Sequence, residues 1–297
     1  RKLMNIDTLK RISQPIVEAY HRFMNSELLQ RINLTDKMQD KQLSLRWIML
    51  FALIILIYSV TIRYAWIPIY SDNASYQWND EILLTTNDAY HYATSAKLAV
   101  DGQIHNNSQL IHNSLFGENG AIVASAWLAS KLTSFSMETI TLYLPIILPS
   151  LTGILVLLIG HLLGFSAMGL VAGLITVSSN IFLVRTRAGY FDTDLLTLII
   201  PLVLIYLLLR VIKTNNFKNA LVASLLLTTQ TFFYNNAPLL SEVIIITFIV
   251  FTALLRRDNL SHLGSILILL PAMVSFNLPA SIRIALIVGA YFLVSQH

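Results

Sequence analysis

Long apolar runs separated by short polar stretches set the pattern of this chain. Runs fit to cross a bilayer lie at about 47–67, 138–160, 166–184, 195–212, 219–234, 238–255, 262–278 and 280–295, where a helical crossing takes roughly 17–25 residues. The pattern predicts an all-α polytopic membrane protein with about eight transmembrane helices. Ahead of them, residues 1–46 alternate charged and apolar positions, as in LKRISQPIVEAYHRFMNSELLQRI. This predicts a cytoplasmic extension of one or two amphipathic helices, broken near Pro15 and lying in solvent or on the membrane surface. Between the first two spans, ILLTTNDAYHYATSAKLAVDG predicts a helix from about Ala89 to Val100, with Asp88 capping its start and Gly102 ending it. A second helix, AIVASAWLASKL, is too short and too rich in small residues to span, and is expected on the outer surface.

Composition supports the membrane assignment: 55% of the residues are hydrophobic and 12% charged, with mean hydropathy +0.65, against roughly 25% charged in soluble proteins. Cysteine is absent, which excludes disulfides, thiolate metal sites and thiol nucleophiles. Because the first apolar run follows a polar, basic stretch, it is expected to be a signal anchor and not a cleavable signal peptide. Nine of the 20 Lys and Arg residues precede it, which predicts a cytoplasmic N-terminus. Eight crossings then put fourteen of the 20 inside. The same topology makes about 68–137 a large first outside loop, 185–194 a second and 235–238 a third. The net charge of +4 follows from this topology and from anionic lipid, and no nucleic-acid partner is expected. The chain stops at His297 directly after an apolar run and is expected to be a piece of a longer protein.

The stretch RTRAGYFDTDLLTLIIPL, residues 185–202, sets two arginines and two aspartates between apolar runs. In an extended segment residues i and i+2 share a face, so Asp192 and Asp194 can converge on one ligand, whereas in a helix they diverge by roughly 200°. An extended turn before the next span is therefore expected, with Gly189 supplying backbone freedom. Two like charges about 4 Å apart repel by roughly 4 kcal/mol at an effective dielectric of 20, so both stay ionised only beside a cation or an arginine. Oxygen ligands alone imply a hard cation, Mg²⁺ or Mn²⁺. A structural ion-pair cluster with Arg185 and Arg187 is the alternative, as is simple helix capping by Thr193 or Asp194.

TTNDAYHYA and RTRAGYFDTDLLTLIIP, in that order, two spans apart and on one face, resemble the single-subunit oligosaccharyltransferases of bacteria and archaea over about Trp47 to the end. The resemblance implies a C-type glycosyltransferase-like fold in the inner (plasma) membrane, with its active site on the periplasmic or outer face. It implies transfer of an oligosaccharide from a polyprenyl-diphosphate lipid to the asparagine amide of an Asn-x-Ser/Thr acceptor protein. By the same resemblance Asp88, Asp192 and Asp194 form the acidic, metal-binding cluster, with Mn²⁺ or Mg²⁺ as the ion. Asp88 also meets the acceptor amide, Arg185 borders the site and Tyr234 lies near the lipid diphosphate. The family carries a further acidic residue in a later outside loop and a Trp-Trp-Asp motif in a soluble C-terminal domain, neither of which occurs in residues 1–297. This chain alone is therefore expected to transfer no glycan.

An amide nitrogen is a poor nucleophile because its lone pair is delocalised, the resonance behind a rotation barrier of about 18–20 kcal/mol. Carboxylates accepting the amide N–H groups would loosen that conjugation, and a divalent ion would stabilise charge developing on the departing diphosphate. Two other classes remain open: another polyprenyl-phosphate-sugar glycosyltransferase, and a transporter or ion-binding membrane protein. The latter would place its ionisable residues in mid-span, while here they cluster at span ends.

Overall fold

The computed structural model describes residues 43–103, 117–255, 259–274 and 278–296. The expected amphipathic extension falls almost wholly outside the described residues, as does part of the first large loop.

The described chain is helical apart from one small hairpin. Helices α1 (Leu45–Tyr64) and α2 (Trp66–Ser71) run on from one another, and the hairpin β1 (Gln77–Trp78) and β2 (Glu81–Ile82) follows. Asn79 and Asp80 both take positive φ at its turn, as a tight two-residue connection requires. Next come α3 (Asn87–Val100), α4 (Gly120–Leu132), α5 (Met137–Ile147), α6 (Ser150–Leu163), α7 (Ser166–Ser178) and α8 (Asn180–Val184). The series ends with α9 (Ile199–Thr214), α10 (Phe217–Thr228), α11 (Gln230–Phe233), α12 (Ala237–Leu255), α13 (Leu260–Val274) and α14 (Ala280–Ser295).

Among the described residues four helical stretches are long and apolar enough to cross a membrane: Leu45–Ser71, Met137–Leu163, Thr193–Thr214 and Ala237–Leu254. The other four expected spans correspond to shorter apolar helices. Two of them are broken beside hydroxyls that donate to carbonyls of the preceding turn, Ser178 Oγ to Leu174 O and Thr229 Oγ1 to Leu226 O. The run expected at 166–184 turns extended at Ser179 (ψ 134°), and the run at 219–234 breaks at Thr229. Many large apolar side chains face outward, among them Leu53, Ile57, Ile175 and Leu254. That surface is costly in water and suited to lipid, and the chain is a membrane protein.

Three of the four hydrophobic cores among the described residues organise the helices. Helices α1, α6 and α7 meet through Ile48, Ile55, Leu157 and Val177, and α9, α10, α12, α13 and α14 share a second core around Leu204, Leu227 and Ile268. A third core joins α3, α4, α5 and the turn before α9 through Tyr92, Ile122, Ile140, Phe191 and Leu195. The short AIVASAWLASKL segment accordingly forms α4 and buries Ala121, Ile122, Val123 and Ala126, lending one face to the candidate site.

Small residues set how closely α6 and α7 approach. A Cβ at Gly160 would lie 2.6 Å from the Gly169 Cα, and one at Gly173 would lie 2.7 Å from the Gly153 carbonyl oxygen. Both obstacles are backbone, so the helices must move apart to admit a side chain. Gly160→Val is expected to cost about 1–3 kcal/mol of overpacking and to lower the melting temperature in detergent. Gly289→Ala, which meets nothing within 4 Å, should leave it unchanged. Equal melting of the two variants would contradict the close approach.

Candidate active site

The first acidic motif is carried by the start of α3. Thr86 is extended (φ −144°, ψ 158°) and its Oγ1 accepts from the Ala89 N–H at 3.1 Å, so Thr86 caps the helix. Asp88, expected as the cap, lies instead in the first turn, exposed. Asn87 is already helical, which leaves only Thr86 with the extended backbone a cap needs. Gly102 (φ +70°) follows the helix as expected. In a helix residues i and i+4 share a face, so Tyr92 stands on the Asp88 side.

The second motif is sewn to the first by backbone. Gly189 takes φ +72°; its N–H donates to Leu142 O at 3.1 Å, and its own carbonyl accepts from Thr85 N–H at 3.1 Å and Thr85 Oγ1 at 3.3 Å. Thr85 stands three residues before Asp88, so this junction brings the acidic motifs together. A Cβ at Gly189 would meet its nearest neighbours at 3.5 Å, an ordinary contact, so the conformation alone demands glycine. Gly189→Ala is expected to cost about 1–2 kcal/mol for the left-handed backbone. Gly189→Asn should cost less, and thermal melting of the two variants checks the order.

Asp192 is extended (φ −143°, ψ 167°) and 6% exposed. Its Oδ1 accepts from both the N–H and the hydroxyl of Thr193. Thr193–Leu195 form a single 3₁₀ turn containing Asp194, and α9 begins only at Ile199. The extended turn expected before the helix thus covers Asp192 but not Asp194. Asp194 is half-buried, and the charges of Asp192 and Asp88 both act on it. Arg185 Nε lies 2.7 Å from Asp194 Oδ2, although that buried oxygen has no aligned hydrogen bond. Arg185 is itself mostly exposed, and its affinity for its proton is raised by the Tyr190 hydroxyl and then by Asp194. Arg187 does not share in this pairing. Its guanidinium stacks over the Trp66 ring at 5.1 Å, so the ion pair is Arg185–Asp194 and not a cluster of both arginines.

Tyr92 stands in the field of all three acidic residues. Its hydroxyl is pushed up to about 12 by burial first, then by the charges of Asp192, Asp88 and Asp194, against a hydrogen bond with Thr193. All three carboxylates therefore act on one phenol, which stays protonated and able to donate at any physiological pH. In the sequence Tyr92 carries no motif of its own. Its helical spacing from Asp88 was the available sign.

Tyr234 follows α11 with an extended backbone (φ −158°, ψ 126°), and its hydroxyl accepts from Asn236 Nδ2 at 3.4 Å. Asn119 anchors this segment, donating its N–H to Thr231 O at 3.0 Å and accepting from Asn235 N–H at 2.8 Å. Phe232 and Phe233 pack on the core that holds Tyr92 and Phe191. Among the described residues no hydrogen bond or ion pair joins Tyr234 to the aspartates.

For a divalent ion, the donors on hand are all carboxylate oxygens, the set a hard cation prefers, and the buried Asp194 Oδ2 lacks a hydrogen-bond partner. The residues fit such an ion in donor chemistry, although among the described residues no three acidic or histidine side chains close on one point.

The N-terminal family model of oligosaccharyl transferase STT3 matches residues 120–296. Two curated relatives from Campylobacter jejuni are both undecaprenyl-diphosphooligosaccharide–protein glycotransferases. That of strain RM1221 is 30% identical over 224 residues, covering 74% of this chain and 31% of the relative. That of the serotype O:2 strain is 29% identical over the same shares. The chain thus spans about a third of the length of these relatives. The apo crystal structure of the Archaeoglobus fulgidus oligosaccharyltransferase superposes with a TM-score of 0.59 at 14% identity, covering 85% of this chain and 33% of that one, which establishes a shared fold. With a family model covering more than half of its length, and the two acidic motifs in the order and proximity described above, the chain belongs to the STT3 oligosaccharyl transferase family.

Proposed function

We propose that this chain carries the acidic centre of an enzyme that moves an oligosaccharide from a polyprenyl-diphosphate lipid to the side-chain amide of an asparagine in an Asn-x-Ser/Thr acceptor. The observation that supports it most is the Thr85–Gly189 backbone junction, which holds the segment carrying Asp88 against the one carrying Asp192 and Asp194, at the start of the Thr193–Thr214 stretch. The N-terminus lies in the cytoplasm and the centre at the outer face of the inner membrane, where a lipid-anchored donor and an exported acceptor meet.

The chain's own groups divide the work. Asp88, exposed on the first turn of α3, accepts an N–H of the acceptor amide and draws its nitrogen out of conjugation. Asp192, held by Thr193, and Asp194, held by Arg185, keep two carboxylates facing the same space. The Tyr92 hydroxyl, protonated throughout and hydrogen-bonded with Thr193, keeps a neutral group beside the carboxylates. Tyr234 lies on the donor side, near the diphosphate. Asp88, Asp192 and Asp194 would hold Mn²⁺ or Mg²⁺, and such an ion supplies a positive charge that stabilises the departing diphosphate.

Arg185→Gln should remove the charge paired with Asp194 and lower kcat by about tenfold, less than the roughly 10²–10³-fold lost with an enclosed electrostatic donor because Arg185 is mostly exposed. Steady-state kinetics in the full-length protein check it. The class of donor tests the proposal itself. Liposomes carrying the full-length protein and Mn²⁺ are given a sequon peptide with either a polyprenyl-diphosphate oligosaccharide or a polyprenyl-monophosphate sugar. Glycopeptide from the diphosphate donor alone is expected. Product from the monophosphate donor alone would assign the chain to the other glycosyltransferase class.

A further inference from the structure

Arg63 sits in the last turn of α1 with none of its surface exposed, and it heads the fully buried side chains in size. A guanidinium carries its charge and five donors at any physiological pH, so burial is costly unless each donor is met. Here all three nitrogens are used. Nε donates to the Thr186 carbonyl and hydroxyl, each at 3.1 Å. One terminal nitrogen donates to the Ser59 carbonyl at 3.3 Å and hydroxyl at 3.0 Å. The other donates to Val177 O at 3.0 Å and to Thr186 Oγ1 at 2.7 Å. The Phe182 ring lies 5.4 Å from the guanidinium carbon.

These partners are neutral oxygens, and a buried cation so placed adds less stability than a well-packed apolar side chain of similar volume. What the arginine does provide is reach. It ties α1 to the last turn of α7, where Val177 O lacks an onward helical partner and the helix dipole favours a cation. It also ties α1 to Thr186, one residue beyond Arg185. Thr186 Oγ1 is fixed further by donating to Phe182 O at 2.6 Å. Downstream, the next anchor is Gly189 on Leu142 and Thr85, and then Asp192.

We infer that Arg63 is a positioning residue for the acidic centre. By clamping Thr186 through its carbonyl and hydroxyl, it fixes the turn from which Arg185 reaches Asp194 and from which Gly189 meets Thr85 in the segment leading to Asp88. Its effect on rate rests on the transferase reading; its effect on the loop does not.

The experiment uses Arg63→Met, Arg63→Lys, Thr186→Val and Thr186→Ser in the full-length protein. It also uses a reporter thiol, Ala188→Cys, with any cysteine outside residues 1–297 replaced by serine, because residues 1–297 have no cysteine and Ala188 is fully buried in the clamped loop. A misplacement of about 1 Å can cost on the order of 10²-fold in rate. Arg63→Met is therefore expected to lower kcat by about tenfold or more, with KM for the acceptor peptide little changed, and to make the reporter thiol reactive. Thr186→Val should behave alike, Thr186→Ser should recover most of its loss, and Arg63→Lys should recover part. The Arg63→Met, Thr186→Val double variant should be no worse than either single one. A normal kcat in Arg63→Met, additive losses in the double variant, or a thiol that stays unreactive while kcat falls would each overturn the inference. A thiol released by Arg63→Met in a protein that transfers no glycan even when unmodified would uphold the clamp and defeat the transferase reading alone.

Discussion

Asp88→Ala and Asp192→Ala are each expected to abolish glycan transfer, with rates down by at least about 10²-fold, as when a group acting on developing charge is removed. The two variants differ in what else they disturb. Asp88 is exposed in the first turn of α3, and Thr86 makes the cap there, so Asp88→Ala forfeits only a favourable helix-dipole contact of roughly 0.3–1 kcal/mol. Its loss of activity should appear in well-folded protein. Asp192 is buried and accepts from both Thr193 donors, so alanine there also orphans two polar groups at a cost of about 1–3 kcal/mol. Asp192→Asn keeps an oxygen for Thr193 while removing the charge. It should fold normally and remain as inactive as Asp192→Ala. Single-turnover transfer alongside thermal melting separates the effects. Activity retained by Asp192→Asn would remove the carboxylate from the chemistry.

Chelation is the second large effect. EDTA should reduce transfer to background, and Mn²⁺ or Mg²⁺, but not Na⁺, should restore it. Asp192 is buried, Asp194 is half-buried beside it, and Arg185 offsets only one of the two charges from a mostly exposed position. A divalent cation with oxygen ligands is the counterion such a set calls for. In Asp88→Asn the Mn²⁺ concentration for half-maximal rescue should rise by about tenfold or more, since loss of one charged ligand weakens a hard-cation site. Undiminished transfer after exhaustive chelation would contradict the metal role while leaving the carboxylates in place.

The readable parts of this protein were those set by local chemistry. Hydropathy located the helices, and the helix at 87–100 and the polar turn at 185–194 stood out as interruptions in apolar sequence. The reading failed where a distant contact decides. Thr85 and Gly189 meet across 104 residues, and no periodicity announces that junction. Arg63 looks like a charge at the edge of a span, and only the folded chain reveals Thr186, Ser59 and Val177 closing around it. Asp88 and Thr86 are both good caps by type, and the backbone at Asn87 chose between them. The expected spans broke at Ser179 and Thr229, inside the short polar stretches 178–180 and 228–231, because so short a stretch scarcely lowers the hydropathy of a long run yet redirects the backbone.

The mass of an acceptor peptide decides whether this acidic centre delivers glycan to asparagine. The full-length protein in liposomes, with Mn²⁺ and a polyprenyl-diphosphate oligosaccharide, is incubated with a peptide carrying one Asn-x-Thr sequon and with its Gln-x-Thr counterpart, and fragmentation spectra locate any adduct. The account predicts the whole oligosaccharide on the asparagine side-chain nitrogen, none on the glutamine peptide and none with Asp192→Asn. An unmodified asparagine peptide, a glycan on threonine, or equal product from Asp192→Asn would contradict it.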